Sequence, residues 1–396
     1  MSRFAVLFDY AEAVLAFGFR DAAPAAAPAA PEPEVLERMA GRARAAWERA
    51  GRPHLVLLGL GSGALAAALA QALPAETLCV CELEPPLARA LRAAGRLPWL
   101  RREGDAGLAV DASPWALLFL LDRAGFDPTG ALVLPNPELP PRDKARYRQL
   151  ELLLAHSRPA EIPAAAPVPR LSCAAILAPG EPDLDGFFAQ FPDWIAELVL
   201  VWDADAPPEA ALSERFPARQ LARRLGGDFS AQRMAMLAAC GGDWVLYLDA
   251  DERLSPEAWA ALPRLCAAPE VAGWHLPRLS PYPVAERAVV GYGLWPDIQL
   301  RLFRNQPGLR FVNPVHERLG GLHGAQGLAL DLEIEHLSRL RKDAAAIRGK
   351  LSGFDAASGG GLHHVLSAEY PSLQRELLVP VGPRGPRGLV LPPGRV

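Results

Sequence analysis

Short apolar runs alternate along the chain with segments that space apolar residues every three or four positions. The apolar runs have the length of strands and occur at 55–58, 78–81, 171–177, 196–202 and 245–248. Helical spacing is found at 34–50, where Leu36, Met39 and Trp47 share one face. Strands that are buried on both faces of a parallel sheet form continuous apolar runs, so this alternation predicts an α/β fold.

Proline-rich segments divide the chain into parts. Two domains are expected for 396 residues, because a single core stops growing at about 250–300 residues. The four prolines within 159–169 indicate a linker. Residues 1–21 are predicted to form a small strand and turn, and the Ala/Pro segment 22–33 an extended loop. We predict a first domain at 1–158, a linker at 159–169, a second domain at 170–378 and a disordered tail at 379–396.

Composition and charge narrow the class of protein. A hydrophobic content of 51% with 22% charged residues is typical of a globular domain, and a net charge of -4 does not favour a nucleic-acid partner. The five cysteines are scattered in apolar segments, which predicts buried thiols. Asp9 and Glu12 interrupt the first apolar run, so we expect no signal peptide. No apolar run approaches the roughly 20 residues that span a bilayer, so we expect a cytoplasmic protein with at most peripheral membrane contact.

A glycine-rich segment follows the first predicted buried strand and precedes an Ala/Leu helix. Gly59, Gly61 and Gly63 lie in this segment, and Glu82 ends the next strand. Glycines there allow a tight turn and close approach of a ligand to a helix N-terminus. An acidic residue at the second strand end can bind ribose hydroxyls.

This pattern resembles motif I and the ribose-binding acid of the Rossmann-like, S-adenosylmethionine-dependent methyltransferases. The resemblance covers about residues 50–110 and includes Gly104-Asp105-Ala106 as the adenine-side turn. It implies a doubly wound sheet in which Gly59, Gly61, Gly63 and Glu82 bind S-adenosylmethionine. Residues 134–138 lie where the catalytic motif of that family would be expected, but its residues are absent. A sheet that is structural or binds another ligand therefore remains an alternative.

Carboxylates follow another buried strand. Asp249, Asp251 and Glu252 come directly after the apolar run 245–248, and packing gives no reason for them. Ligands of open α/β sheets bind at the carboxyl ends of strands. Two aspartates at i and i+2 offer oxygen ligands to Mg²⁺ or Mn²⁺, with a substrate phosphate completing the coordination shell. The alternative is a solvated turn.

Four ordered segments in the second half resemble the inverting glycosyltransferases of family 2, in the lipopolysaccharide core glucosyltransferase-like branch. The segments are 228–233, 242–252, 301–305 and 315–317. The resemblance covers about residues 170–345. It implies a GT-A fold, a nucleotide-diphosphate sugar donor such as a UDP-sugar, and a glycan, lipid-linked or protein acceptor.

The same resemblance assigns roles to individual residues. The metal would be held by Asp249 and Asp251, with His316 as a further ligand or a diphosphate contact. The general base would be Glu317, with Asp297 as second choice. Donor or acceptor contacts would come from Asp203, Asp205, Arg233, Arg301 and Arg304.

The chain departs from the family pattern on the nucleotide side. Met234 stands where the family usually has Asn, and residues 178–181 and 203–208 lack the usual polar turns. Donor identity is therefore open. Two alternatives to a simple glycosyltransferase follow: a bifunctional enzyme that also transfers methyl groups, and a catalytically degenerate scaffold for glycan assembly.

Overall fold

The computed structural model describes residues 4–17, 26–127, 130–208, 215–314, 317–341, 370–378 and 385–393. The predicted metal ligand His316 lies outside the described residues, as do residues 342–369 of the predicted second domain.

The first sheet consists of four parallel strands. These strands are β1 (Leu55–Leu58), β2 (Leu78–Glu82), β3 (Ala106–Val110) and β4 (Leu132–Pro135). The helices of this part are α1 (Ala5–Ala16), α2 (Pro33–Ala50), α3 (Ala64–Ala72), α4 (Pro85–Ala93), α5 (Pro114–Arg123) and α6 (Pro141–His156). The strand order is β3-β2-β1-β4, so the carboxyl ends of β1 and β4 meet where the strand order reverses.

Helix α1 corrects the prediction of a strand and turn near the N-terminus. Leu7, Ala11 and Val14 of α1 are buried at helical spacing, and the helix packs on β3 and α4. Gly107 in β3 permits this close packing, because a Cβ atom there would lie 2.6 Å from Leu7 and Phe4. The segment is short and mostly apolar, and in such segments the periods of a strand and a helix are hard to distinguish.

The second sheet is mixed and contains eleven strands. Its strands are β5 (Arg158–Pro159), β6 (Leu171–Leu177), β7 (Glu197–Trp202), β8 (Ala218–Ala222), β9 (Trp244–Tyr247), β10 (Glu252–Arg253), β11 (Val271–Leu279), β13 (Asp297–Arg304), β16 (Ala325–Ala329), β17 (Ile334–His336) and β19 (Gly388–Val390). The main path runs β5-β19-β16-β11-β13-β9-β6-β7-β8, while β17 pairs with β10 and β11. Strands β9, β6, β7 and β8 are parallel, so their carboxyl ends lie at one edge.

Shorter elements complete this half. Two separate ribbons pair β12 (Arg287–Val289) with β18 (Ser372–Gln374), and β14 (Arg310–Val312) with β15 (Arg318–Gly320). The helices are α7 (Leu184–Ala189), α8 (Phe229–Ala239), α9 (Pro256–Cys266) and α10 (Ser338–Arg341). Asp228 caps α8 by accepting from the Ala231 amide, and Ser255 caps α9 by accepting from Ala258. Short polar side chains of this kind are the preferred caps at helix N-termini.

The predicted disordered tail is wrong for Gly388–Val390. These residues form β19, which pairs with β16 on one side and with β5 on the other. Leu389 and Val390 are 4% and 5% exposed, so their burial outweighs the loop-like composition around them. Strand β5 also includes Pro159, the first residue of the predicted linker, whereas 160–169 contains no helix or strand.

The hydrophobic core of the first sheet continues into the second half of the chain. Trp295, Val290 and Leu330 are fully or almost fully buried and belong to the same cluster as the strands of the first sheet. A second cluster packs between β6, β7, β9 and helix α9. The structure is mixed α/β, as predicted. The division of the chain into two domains at residues 159–169 stays a prediction.

All five cysteines are buried free thiols, as predicted. Within the described part of the chain, no helix combines the length and apolar character that a membrane crossing requires.

Candidate functional site

The residues that follow β9 form a tight turn, which we call the acidic turn and define as Leu248–Glu252. The Leu248 amide donates to the Ala174 carbonyl, which ties the start of the turn to β6. Glu252 is fully buried and its carboxylate accepts from the Asp249 amide at 3.0 Å. The Glu252 amide in turn donates to the Asp249 carbonyl at 2.9 Å. Glu252 thus shapes the turn.

Asp249 lies between two buried arginines. Its Oδ1 accepts from Nη2 of Arg233 at 2.9 Å, and its Oδ2 accepts from Nη2 of Arg301 at 2.8 Å. Both guanidinium groups also stack on the Tyr247 ring, each 4.5 Å from its centroid. Burial by itself would raise the pKa of Asp249, but Arg301 and Arg233 lower it well below its usual range. Asp249 is therefore an ionised carboxylate with both oxygens engaged.

Further charges extend this network on the side of β11 and β13. Arg301 donates to Glu252 at 2.6 Å, and Arg278 donates to Glu252 at 3.0 Å. Arg278 also holds Asp297, with 2.8 Å between Nε and Oδ2. Burial tends to raise the pKa of Asp297, but Arg278 and Gln299 lower it below its usual value. The structure thus brings together the predicted residues Arg233, Asp249, Arg301 and, through Arg278, Asp297.

Two guanidinium nitrogens in this network are buried without a hydrogen bond to any described residue. Nη1 of Arg233 and Nε of Arg301 have no hydrogen-bond partner among the described residues. Their side chains are 5% and 3% exposed. Buried polar groups in native structures are rarely left without partners, so each such group calls for an explanation.

Glu317 joins the same network through Arg233. Nε of Arg233 donates to Oε1 of Glu317, and the Glu317 side chain is 14% exposed. Arg233 thus connects Glu317 to Asp249. The role of Glu317 as a general base stays a prediction.

Asp251 lies beside a histidine that the sequence patterns do not single out. Nε2 of His336 is 3.6 Å from Oδ1 of Asp251, and Nδ1 of His336 is 3.2 Å from the Ser280 hydroxyl. The Leu337 amide donates to the Asp251 carbonyl at 2.8 Å, which fixes the end of β17 against the acidic turn. The sequence shows His336 only as a polar residue at the end of a short apolar strand. The pairing of β17 with β10 is what places His336 beside Asp251.

Asp251 and His336 have the chemistry of a partial divalent metal site. A carboxylate oxygen suits Mg²⁺ or Mn²⁺, whereas an imidazole nitrogen favours transition metals, so this pair fits Mn²⁺ better than Mg²⁺, with substrate phosphates and water as the remaining ligands. No cluster of three or more potential metal ligands occurs within the residues that the structure describes. The metal role of Asp249 stays a prediction, and both of its carboxylate oxygens accept from arginines instead.

Three other predicted contacts lie apart from this network. Asp203 follows β7 and accepts from the Leu225 amide at 2.8 Å. Asp205 is exposed and pairs with Arg224 at 2.8 Å. Arg304 stacks on Trp244 at 4.7 Å. Trp244 and Tyr247 point to opposite faces of β9, so Arg304 lies on the other side of the sheet from Arg301.

The glycine turn of the first sheet, which we define as Gly59–Gly63, has the predicted backbone. Gly59, Gly61 and Gly63 adopt positive φ angles of 89°, 57° and 83°. Glu82 is 1% exposed and accepts hydrogen bonds from the Leu60 amide and the Tyr147 hydroxyl, both at 2.8 Å. The turn and its acidic partner are therefore bonded to the chain itself, and the binding of S-adenosylmethionine here stays a prediction.

The fold and site define a mixed α/β protein with a buried acid–arginine network at the carboxyl edge of its second sheet. No protein-family model matches the chain. It is 34% identical over 129 residues to a TPR repeat-containing protein of Synechococcus elongatus, which covers 33% of this chain and 30% of that protein. It is 30% identical over 185 residues to the lipopolysaccharide core biosynthesis glycosyltransferase LpsC of Rhizobium meliloti, which covers 40% of this chain and 66% of that protein. The chain thus spans less than a third of the first relative and just under two thirds of the second.

Among solved structures, the chain is similar to S. aureus TarS. The TM-score is 0.27 at 16% identity, covering 34% of this chain and 28% of that one. For the crystal structure of TarS 1–349 the TM-score is 0.31 at 12% identity, covering 50% and 67%. At TM-scores this low the likeness carries no weight for function.

Proposed function

We propose that this chain is an inverting glycosyltransferase that moves a sugar from a nucleotide-diphosphate donor to a glycan, lipid-linked or protein acceptor. The observation that carries the proposal is the acidic turn, where Asp249 is held between buried arginines and Asp251 lies beside His336. The similarity to LpsC, a lipopolysaccharide core glycosyltransferase by name, supports the same chemistry. A UDP-sugar is the proposed donor.

In this proposal Asp251 and His336 hold Mg²⁺ or Mn²⁺, and His316 remains a candidate third ligand. When bound, such a cation neutralises the negative charge that develops on a diphosphate leaving group. Two protein ligands leave room for phosphate oxygens and water, which is how Mg²⁺ is usually held beside substrate phosphates.

Arg233 and Arg301 would bind the diphosphate of the donor. Each has a buried nitrogen without a partner among the described residues, and charge-assisted hydrogen bonds to phosphate are among the strongest in proteins. Asp249 would keep both guanidinium groups in place. Asp203, at the end of β7, would lie on the nucleotide side, whereas Asp205 and Arg304 have no part in the proposed donor site.

The transfer needs one base beside the acceptor hydroxyl. The acceptor oxygen bonds to the anomeric carbon as the bond from that carbon to the diphosphate oxygen breaks, and the hydroxyl proton goes to the base. Asp297 has a pKa below its usual value and is a weaker base for this step. Glu317 is therefore the proposed base, and Asp297 positions Arg278.

The proposal is tested by donor hydrolysis with Mn²⁺, in which release of UDP from common UDP-sugars is measured. Asp251→Ala and His336→Ala should each lower the rate at least about 100-fold, the scale of a lost electrostatic contact in a transition state. Asp243→Ala is the matched control, because Asp243 is 64% exposed just before the same strand and should leave the rate unchanged.

Absence of metal-dependent turnover with every nucleotide sugar tried would favour the scaffold alternative and reject the proposed enzyme. Equal rates for Asp251→Ala and Asp243→Ala would reject the metal role of Asp251 while leaving transfer itself in place.

A further inference from the structure

The glycine turn has no part in the proposed transfer, yet the residues around it are closely packed. A Cβ atom on Gly61 would lie 2.9 Å from Cβ and Oε2 of Glu138, and one on Gly59 would lie 2.5 Å from the Leu139 side chain. The segment that follows β4, which we call the closing loop and define as Asn136–Leu139, therefore lies directly on the glycine turn. Glycine is therefore needed at both positions so that the closing loop can pack on the turn, whether or not a ligand binds.

The closing loop is also bonded to the turn. Nδ2 of Asn136 donates to the Gly59 carbonyl at 3.0 Å, and Oδ1 of Asn136 accepts from the Glu138 amide at 3.0 Å. Asn136 is fully buried. The loop is thus held in one position at the carboxyl ends of β1 and β4, where the strand order reverses and where doubly wound sheets bind their ligands.

Glu138 supplies the anion that such a turn would otherwise take from a ligand. Its Oε2 accepts from the Ser62 amide at 2.8 Å, and its Oε1 accepts from the Leu65 amide at 3.4 Å, in the first turn of α3. A negative charge at a helix N-terminus satisfies free amides and interacts favourably with the helix dipole.

The acids that end the neighbouring strands are likewise used inside the molecule. Glu82 accepts from Leu60, Glu84 and Tyr147. Asp111, after β3, is fully buried and accepts from the Tyr10 hydroxyl at 2.6 Å. Asp111 also accepts from the Gly293 amide at 2.8 Å, in the loop that leads to β13 of the second sheet.

We propose that the ligand edge of the first sheet is closed by the chain's own side chains, with Glu138 in the position of a bound anion. This sheet takes neither S-adenosylmethionine nor a dinucleotide. It serves as a ligand-free platform that supports the loop before β13. The proposal is independent of glycosyl transfer, because its tests measure ligand binding and melting.

The first test is calorimetric titration of the full chain with S-adenosylmethionine. The expected result is no binding up to about 1 mM ligand. A dissociation constant of about 1 mM corresponds to a binding free energy of only about -4 kcal/mol. Micromolar binding to the wild type that is lost in Gly61→Val would overturn the proposal and restore the methyltransferase alternative.

The second test removes the internal anion. Glu138→Ala should lower the melting temperature by about 1–2 °C, because roughly 1 kcal/mol shifts a chain of 396 residues less than the smaller proteins for which about 2–4 °C is expected. Added formate should restore part of the loss in the variant and have less effect on the wild type. The melting temperature of Glu138→Gln should lie between those of Glu138→Ala and the wild type, since the amide oxygen of the new side chain can still accept from the Ser62 amide.

Glu48→Ala is the control for the second test, because Glu48 is 57% exposed on α2 and pairs with Arg44 on the helix surface. Its melting temperature should match that of the wild type, with no response to formate. A Glu138→Ala protein that melts like Glu48→Ala would overturn the role of Glu138 as an internal anion.

Discussion

At the scale of single residues, the first sheet holds two acids that are unusual in their burial. Glu82 and Asp111 end neighbouring strands and are 1% and 0% exposed. Burial raises the pKa of Glu82 to about 7 and that of Asp111 to about 6, against hydrogen bonds that lower both values. Both acids therefore take up protons in a range where ordinary carboxyl groups are ionised.

This leads to a prediction on pH. The folded-state pKa of Glu82 lies above the ordinary value of 4.5 that it has in the unfolded chain, so the folded protein binds more protons than the unfolded chain between the two values. The stabilisation is complete below the unfolded pKa and is lost as pH rises through about 7. We expect the free energy of unfolding in urea to fall over this range in the wild type and to fall less in Glu82→Gln. Identical slopes for both proteins would contradict the assignment to Glu82.

At the scale of elements, strand β13 contributes Arg301 to the candidate site. Arg301 lies at a β-bulge, since Leu302 pairs with Trp274 and Leu300 pairs with His275 of β11. Bulges re-aim side chains and often occur next to active sites. Here the bulge lies at Arg301, whose guanidinium donates to Asp249 and Glu252. Arg304 of the same strand stacks on Trp244 on the opposite face of the sheet.

The strand offers a matched pair of substitutions. Arg301→Ala would leave the buried Glu252 and the partly exposed Asp249 without this partner, and breaking a buried ion pair costs about 3–5 kcal/mol. Arg304→Ala removes a stacking contact and should cost about 1 kcal/mol or less. We expect urea denaturation to show a much lower midpoint for Arg301→Ala than for Arg304→Ala. Equal midpoints would show that the network around Asp249 contributes little to stability.

At the scale of the whole molecule, helix α1 connects the two halves of the chain. The Tyr10 hydroxyl donates to Asp111 of the first sheet and accepts from the Gly291 amide of the second half at 2.9 Å. The Gly293 amide reaches the same carboxylate. These bonds hold the loop that leads to Asp297 and Arg301, so the first sheet supports the strand of the candidate site.

Removal of the Tyr10 hydroxyl tests this connection. Tyr10→Phe keeps the ring but leaves the Gly291 amide and an Asp111 oxygen without their partner, which should cost about 1–3 kcal/mol. We expect a lower urea midpoint together with faster hydrogen exchange at Gly291. A lower midpoint with unchanged exchange at Gly291 would place the effect within the first sheet alone.

Much of the fold could be predicted from local patterns, because buried parallel strands and helix caps depend on nearby residues. The strands that begin at Leu55, Leu78 and Leu171 were predicted in this way, and the caps Asp228 and Ser255 are equally local features. Helix α1 and strand β19 were missed, since a short apolar segment takes its conformation from the surface against which it packs.

The sequence by itself determined the α/β class, the positive-φ glycine turn and the position of carboxylates after β9, because each depends on neighbouring residues. Tertiary structure alone decided how those groups are used. The pairing of β17 with β10 brought His336 to Asp251, and the bulge in β13 accompanies the contact of Arg301 with Asp249. The adjacency of β4 and β1 placed Glu138 on the glycine turn. Contacts between residues distant in the chain depend on strand order and register, which local spacing does not encode.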